Sequence, residues 1–487
     1  MMEPVVHIAN LNLQYAQKQV LQDLNWSIFP GEHWLIGGKS GSGKSSLARA
    51  IVQQVKSTGE LTFQFDSQLS LPAIPYYVAN WYQFANLEGD RNFYYQQRYN
   101  KQQTNDTWTV YADLLNFGKQ YQLDFKDAEP ILEALGFNNC RSTQLIELSS
   151  GEHKKLQLVQ ALWLKPQLLL LDEPYTGLDK QARHSVNQLL DQLAAAGSSL
   201  VLISNDRDVP EAINRYAELV DGQFHTVASL TAMAVDEARQ PKPFPYFLQQ
   251  QPRVDADIMI DLHKVSVGYG EKQVLKHVSW QVKAGEKWLL QGPNGSGKST
   301  LLSLLTGDHP QAYANDIYLF GKKRGSGESI WDIKEKIGII SPELHWYFDK
   351  QATVWHTIAS GFYDSIGWFI QVKYEEKKQI EQLLDFFDLL ADKDKLLHTL
   401  PLGKQRLALL ARTIIKNPQL LILDEPCQGL DRSQTAHFNA VVDELSAYGK
   451  TLIYVGHYEA QLPSCIDHRL VLEKGEVITS ENILESV

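Results

Sequence analysis

Apolar and polar residues alternate along Ile8-Ala9-Asn10-Leu11-Asn12-Leu13-Gln14-Tyr15, the period-two pattern of a half-buried β-strand. The run from Val274-Leu275 to Trp288-Leu289-Leu290-Gln291 also reads as strands, and Leu301-Leu302-Ser303-Leu304-Leu305 after it as a helix. Two apolar runs, Gln167-Leu168-Leu169-Leu170-Leu171-Asp172-Glu173-Pro174 and Gln419-Leu420-Leu421-Ile422-Leu423-Asp424-Glu425-Pro426, suit buried parallel strands that end in an Asp-Glu pair. Further strands are predicted at Pro75-Tyr76-Tyr77-Val78 and Ile337-Gly338-Ile339-Ile340, and others finish at Leu202-Ile203-Ser204-Asn205 and Tyr454-Val455-Gly456-His457. These elements come in pairs. Tyr15 and Tyr269 are separated by the same interval as Lys44 and Lys298, Trp26 answers Trp280, and Gly31-Glu32-His33-Trp34 answers Gly285-Glu286-Lys287-Trp288. A register held over half the chain indicates duplication. The repeated tryptophans Trp26, Trp34, Trp280 and Trp288 lie within strands and are expected in the core.

Between the paired strands lie two stretches of the form G-x-x-x-x-G-K-[ST]: Gly38-Lys39-Ser40-Gly41-Ser42-Gly43-Lys44-Ser45, followed by Ser46, and Gly292-Pro293-Asn294-Gly295-Ser296-Gly297-Lys298-Ser299, followed by Thr300. Glycine lets the backbone curl until successive N–H groups point inward at a phosphate, the lysine reaches the outer phosphates, and the serine hydroxyl ligates Mg²⁺. The flanking strand and helix put each loop at a helix N-terminus, where an anion is favoured. Gly38, Gly41, Gly43, Lys44, Ser45 and Ser46, with Gly292, Asn294, Gly295, Gly297, Lys298, Ser299 and Thr300, are therefore candidate nucleotide-binding residues. A buried strand ending beside such a loop brings Asp172 and Asp424 to the Mg²⁺ shell together with Ser45 and Ser299. Glu173 and Glu425, one residue further on, are candidates to polarise a water for attack on the γ-phosphate. Gly177-Leu178-Asp179 and Gly429-Leu430-Asp431 are expected as acidic loops close to the metal. His457, at a strand end, is a candidate γ-phosphate contact, its counterpart being Asn205. For Tyr15 and Tyr269, position alone leaves core packing and adenine stacking equally open.

Composition narrows the partners. The 487 residues are 44% apolar and 21% charged, an ordinary globular balance, and the formal net charge of −11 disfavours a nucleic-acid partner. Cys140, Cys427 and Cys465 are widely spaced, so neither a disulfide framework nor a zinc site is expected, and a reducing cytoplasm fits. No run of about 18 apolar residues occurs, and Met1-Met2-Glu3-Pro4 does not open a signal peptide, so neither a membrane span nor export is expected. Residues 1–227 and 257–487 are expected as the two repeats. Residues 228–256 are expected as a linker stiffened by Pro241, Pro243, Pro245 and Pro252. The aromatic stretch Trp81-Tyr82-Gln83-Phe84 and Phe93-Tyr94-Tyr95-Gln96-Gln97-Arg98-Tyr99 has few basic residues, which favours a packed partner over stacked bases.

Phosphate loop, Leu148-Ser149-Ser150-Gly151-Glu152 (in the second half Leu400-Pro401-Leu402-Gly403-Lys404), apolar-D-E-P, G-L-D and a terminal histidine or asparagine follow in this order twice. The chain thereby resembles tandem ATP-binding cassettes. The G-E-x-W entry, with Gly307-Asp308-His309-Pro310-Gln311-Ala312-Tyr313 and Gly325-Ser326-Gly327-Glu328-Ser329-Ile330-Trp331-Asp332-Ile333, is similar to the ModF/PhrA branch of molybdenum-transport and photorepair ATP-binding proteins. The resemblance implies an α/β fold: two P-loop NTPase cassettes of the ABC type, each with a mixed or parallel sheet core, a small antiparallel part and a helical insert carrying the signature motif. It favours adenine stacking for Tyr15 and Tyr269, and it implies that each ATP lies between the phosphate loop of one cassette and the signature of the other. Lys298, Ser299, Asp424, Glu425 and His457 are then closed by Ser149 and Gly151. Lys44, Ser45, Asp172 and Glu173 keep Asn205 and face Pro401-Leu402-Gly403-Lys404, which lacks the serine hydroxyl. The expectation is hydrolysis mainly at the second cassette and slow turnover, if any, at the first. The family's glutamine loop falls near Asn80 or Gln83 in the first half and near Glu343 in the second, and if Glu343 fills that place the better site has a carboxylate where an amide is usual, which counts against coupling to a permease. The expected load is a transport system with a separate membrane permease, placing the protein in the cytoplasm or at the inner face of the cell membrane. A permease-free role in repair, stress or regulation is the alternative, and an ABC-F-like translation role ranks last because the linker is short and not basic. No residue argues for molybdate itself; that assignment rests on resemblance alone.

Overall fold

The computed structural model describes residues 3–15, 18–80, 82, 107–229, 242–250, 256–269, 272–307, 309–346, 348–364, 372–428, 430, 432–456 and 462–483. These fall into two compact units, 3–229 and 242–483. In the first unit six described strands form one sheet in the order Pro75–Val78, Leu168–Asp172, Ser199–Ile203, Trp34–Gly37, Arg215–Val220, Gln223–Val227. The first five are parallel and the last is antiparallel. The second unit repeats this order with Ile337–Ile340, Leu420–Asp424, Thr451–Val455, Lys287–Gln291, His468–Glu473 and Glu476–Asn482.

Each sheet is covered on both faces, which explains its uninterrupted leucine runs: Leu168 to Leu171 and Leu420 to Leu423 have no exposed surface. One face packs against the helical insert and the other against the phosphate-loop helix and an antiparallel sheet. The antiparallel sheet of the first unit joins Lys18–Ile28, Val6–Tyr15 and Thr58–Phe63, and the alternation read along residues 8–15 turns Ile8, Leu11 and Leu13 inward. The four tryptophans lie in these cores as expected, at 3–6% exposure, in edge-on pairs Trp26–Trp34 and Trp280–Trp288.

Within the stretch expected as linker, residues 242–250 belong to the second unit. Phe244 and Leu248 are buried in its core, and the Phe244 ring meets Phe386 edge-on at 5.4 Å and stacks on Tyr448 at 5.7 Å. Lys242 Nζ donates to the Asp385 carbonyl at 2.6 Å and pairs with Asp388 at 2.6 Å. Proline stiffening thus serves to lead the chain into an apolar seat. Phe244→Ala is expected to destabilise the second unit by about 3 kcal/mol, the usual cost of emptying a buried aromatic site. Urea unfolding followed by tryptophan fluorescence checks this, and an unchanged midpoint would mean that the ring adds nothing to that core.

Candidate nucleotide sites

Each phosphate loop leaves the C-terminal end of a central strand, Trp34–Gly37 or Lys287–Gln291, and enters a helix, Lys44–Ile51 or Lys298–Leu305. The backbone requires glycine at its first position. Gly38 and Gly292 have φ of 125° and 149°, and a β-carbon there would lie 2.5 Å from the Leu219 carbonyl oxygen or 2.1 Å from that of Leu472. Gly41, Gly43, Gly295 and Gly297 also have positive φ, the last of each pair forming the helix N-cap. The lysines fold back over their own loops. Lys44 Nζ donates to the carbonyls of Gly38 and Lys39 at 2.5 and 2.8 Å, and Lys298 Nζ to those of Gly292 and Pro293 at 2.7 and 3.1 Å. Ser42 and Ser296 are 8% and 2% exposed, yet among the described residues their hydroxyls find no hydrogen-bond partner. A buried hydroxyl left unpaired inside a loop of inward N–H groups fits a loop shaped around a polyanion. Ser45, Ser46, Asn294, Ser299 and Thr300 are half-buried around it.

The acidic strands end two places away in each sheet. Asp172 and Asp424 are buried at those ends, and the chain then turns through left-handed backbone at Glu173 and Glu425, φ 46° and 43°. The turn is held by Glu173 N donating to the Ile203 carbonyl at 2.9 Å and Glu425 N donating to that of Val455 at 3.2 Å. Asp-Glu pairs and loop serines are the hard oxygen ligands that Mg²⁺ takes alongside phosphate oxygens and water. Burial raises the Glu173 pKa, Asp172 and Asp206 raise it further, and Lys44 and Lys154 oppose them.

The two units differ in how these groups are held. Tyr77 OH donates to Asp172 Oδ2 at 2.9 Å, and burial followed by the Asp172 charge raises the phenol well above its ordinary pKa. Ile339 occupies the matching strand position in the second unit. Asn205 turns its amide onto its own phosphate loop, accepting from Gly38 N at 3.2 Å and donating to Gly38 O at 3.4 Å. Lys154, 2% exposed on the helix Ser150–Leu164, donates to the carbonyls of Ala79 and Asp172 at 3.0 and 3.2 Å. The sequence reading missed Tyr77 and Lys154, since neither falls in a nucleotide motif. A polar residue alternating with apolar ones in a parallel strand, and a lysine in a buried helix, were the available signals.

At the signature positions Ser149 is the N-cap of Ser150–Leu164. Its N–H and hydroxyl donate to Glu152 Oε2 at 2.8 Å, and its Oγ accepts from Glu152 N at 3.3 Å, with Gly151 buried in the first turn. In the second unit Pro401 caps Leu402–Ile414 with no side-chain bond, and Lys404 pairs with Asp392 at 2.5 Å. Asp179, expected near the metal, accepts from Ala182 N at 2.8 Å as the N-cap of Lys180–Ala195. Asn80 Oδ1 accepts from Thr176 at 3.4 Å. Glu343 lies on the short helix Pro342–Trp346, and its side chain falls outside the described set. His345 on that helix donates from Nε2 to Gln405 Oε1 at 2.6 Å; burial lowers its pKa to about 3, with Arg406 adding to the shift, so the ring is neutral. Gln83, Gly429, Asp431 and His457, with most of the aromatic stretch 81–99, lie outside the described residues. Tyr15 and Tyr269 stand at strand ends, 43% and 37% exposed, so neither is a core residue.

A family model for the ABC transporter matches residues 21–176 and 275–428, which take in both phosphate loops and both Asp-Glu strands. The chain is 36% identical to the ABC transporter ATP-binding protein ModF of Escherichia coli (strain K12), over 93% of this chain and 94% of that protein. It is 29% identical to an uncharacterized ABC transporter ATP-binding protein of Schizosaccharomyces pombe, over 98% and 99% respectively. Among solved structures it is similar to the ADP conformation of an ATP-binding cassette of an ABC transporter, at 24% identity and a TM-score of 0.41, over 47% of this chain and 92% of that one. With the phosphate loop, the Asp-Glu strand and the helical insert built twice, the chain belongs to the ABC transporter family of ATP-binding proteins and is an ATP hydrolase with two cassettes in tandem.

Proposed function

We propose that the two cassettes close on two ATP molecules in a head-to-tail sandwich and that hydrolysis runs mainly at the site built on Lys298. The observation that carries this reading is the contrast between the signature helices: one is headed by Ser149, the other by Pro401 and Lys404. The hydroxyl and N–H that Ser149 now gives to Glu152 could pass to a γ-phosphate on closure, and proline has neither to give. Bound ATP with Mg²⁺ supplies the phosphoanhydride that is cleaved. Lys298 would neutralise the outer phosphates, Ser299 and Asp424 would hold the metal, Glu425 would orient the attacking water and take its proton, and His457 would contact the γ-phosphate. Tyr15 and Tyr269 would each stack on a base.

The site on Lys44, Ser45, Asp172 and Glu173 keeps the binding apparatus and loses the closing one. Asn205 is committed to Gly38, and Asp172 to Tyr77. Such a site holds ATP and stabilises the closed state without rapid turnover. Among the described residues no helix is long and apolar enough to cross a membrane. The proposed load is a transport system whose permease is a separate chain, a reading supported by the designation of the E. coli relative as an ABC transporter ATP-binding protein.

Glu425→Gln is expected to lower the ATPase rate by at least about a hundredfold, as loss of a general base does, while Glu173→Gln leaves it within about threefold. Equal losses in steady-state phosphate release would sink the inequality of the sites. For the load, Glu425→Gln trapped with ATP is expected to co-purify from solubilised membranes with a multi-span protein. Recovery of only non-membrane partners would overturn the transport reading and leave the ATPase reading standing.

A further inference from the structure

The stretch that follows the second phosphate-loop helix, from Gly307 to Asn315, has no role so far. It folds into a 3₁₀ turn, Pro310–Ala314, whose flanking and internal side chains grip the end of the strand Ile258–Tyr269. Asn315 accepts from Ser266 N at 2.8 Å and donates to Ser266 O at 3.0 Å. Gln311 accepts from Gly268 N at 3.3 Å and donates to Gly268 O at 2.8 Å. The two amide side chains thus occupy the hydrogen-bonding positions of a neighbouring β-strand, at the alternate residues a ladder would use. The third grip falls on Tyr269 itself, whose hydroxyl lies 2.6 Å from His309 Nε2, with the two rings edge-on at 5.9 Å.

The proton on that last bond can be assigned. His309 is 1% exposed, and burial lowers its pKa, so the ring is neutral at pH 7. Its Nδ1 accepts from Gln311 N at 3.1 Å, which leaves the proton on Nε2, donating to the Tyr269 oxygen. In the first cassette the corresponding strand, Val6–Tyr15, pairs with Thr58–Phe63 only as far as Asn12, and among the described residues no side chain bonds the Tyr15 hydroxyl. The grip is specific to the second cassette.

We propose that His309, backed by Gln311 and Asn315, is a positioning residue that fixes the Tyr269 ring for stacking on a purine base, so that the second nucleotide site discriminates by base more sharply than the first. The inference rests on the reading of Tyr269 as the base-stacking residue. A ring fixed in one orientation lets a wide purine face keep its full overlap, whereas a ring free to turn averages that overlap away and narrows the difference between purine and pyrimidine.

The test uses the full chain carrying Lys44→Ala, so that only the second loop binds. Displacement of a ribose-labelled fluorescent ATP gives dissociation constants for ATP, CTP and inorganic tripolyphosphate. His309→Ala and Tyr269→Phe are each expected to weaken ATP about five- to tenfold, to shrink the ATP-over-CTP preference by a similar factor, and to leave tripolyphosphate unchanged, since it has no base to stack. His309→Gln, which keeps a donor, is expected to recover part of the preference. Unchanged ATP-over-CTP ratios in both His309→Ala and Tyr269→Phe, alongside a loss in Tyr269→Ala, would overturn the positioning role alone. No loss in Tyr269→Ala would overturn the stacking reading beneath it. Weakening of tripolyphosphate to the same extent as ATP would assign His309 a merely structural role.

Discussion

Both nucleotide sites depend on one backbone constraint: the chain must turn left-handed at the glutamate that ends a fully buried strand. Glu173 and Glu425 adopt φ near 45°, a conformation that costs a non-glycine residue roughly 1–2 kcal/mol. It persists because the preceding strand has no freedom to relax. Leu168 to Leu171 and Leu420 to Leu423 are packed on both faces, and the N–H of each glutamate is bonded to the end of the next strand. The turn separates two neighbouring carboxylates, as the different roles proposed for Asp and Glu require. Strain kept at a functional position by an over-determined core is a recurring property of such sites.

On that shared frame the cassettes diverge through few side chains. In the first, Tyr77, Asn205 and Lys154 tie down the aspartate, the phosphate loop and the strand end by hydrogen bonds. In the second, Ile339 and Pro401 remove polar contacts, and His309, Gln311 and Asn315 add them at the Tyr269 end of the strand instead. Duplication followed by such drift leaves two phosphate cradles of equal geometry with unequal surroundings. Each site also depends on the signature helix of the opposite half in the proposed closed state, so a change at Ser149 or Pro401 would be felt at the other cassette's ATP.

Much of this was legible before the fold. The phosphate loops, the Asp-Glu strands and the doubled register follow from glycine spacing and from leucine runs too long to be exposed on either face, and the structure builds each of them. The buried tryptophans followed from their strand positions. Other features were illegible for physical reasons. Asn205 read as a histidine replaced, but its attachment to Gly38 depends on strands distant in sequence. Tyr77 reaches Asp172 only because parallel pairing sets Pro75–Val78 beside Leu168–Asp172. Tyr15 and Tyr269 stood evenly between core and site on position alone, and their exposure removes only the core reading. The motif Gly307–Tyr313 stands out in the sequence, yet its contact with Tyr269 depends on the strand end beside it, and Asn315 lies beyond the motif. Linker prolines signalled stiffness without revealing the burial of Phe244.

The most direct measurement of the central claim is a single-turnover count. The wild-type chain is mixed with excess ATP and Mg²⁺, separated from free nucleotide, quenched over a time course, and analysed for ATP and ADP per chain. The account predicts that one nucleotide per chain converts to ADP rapidly while the second persists as ATP through the rest of the time course. Conversion of both nucleotides at one common rate would contradict it.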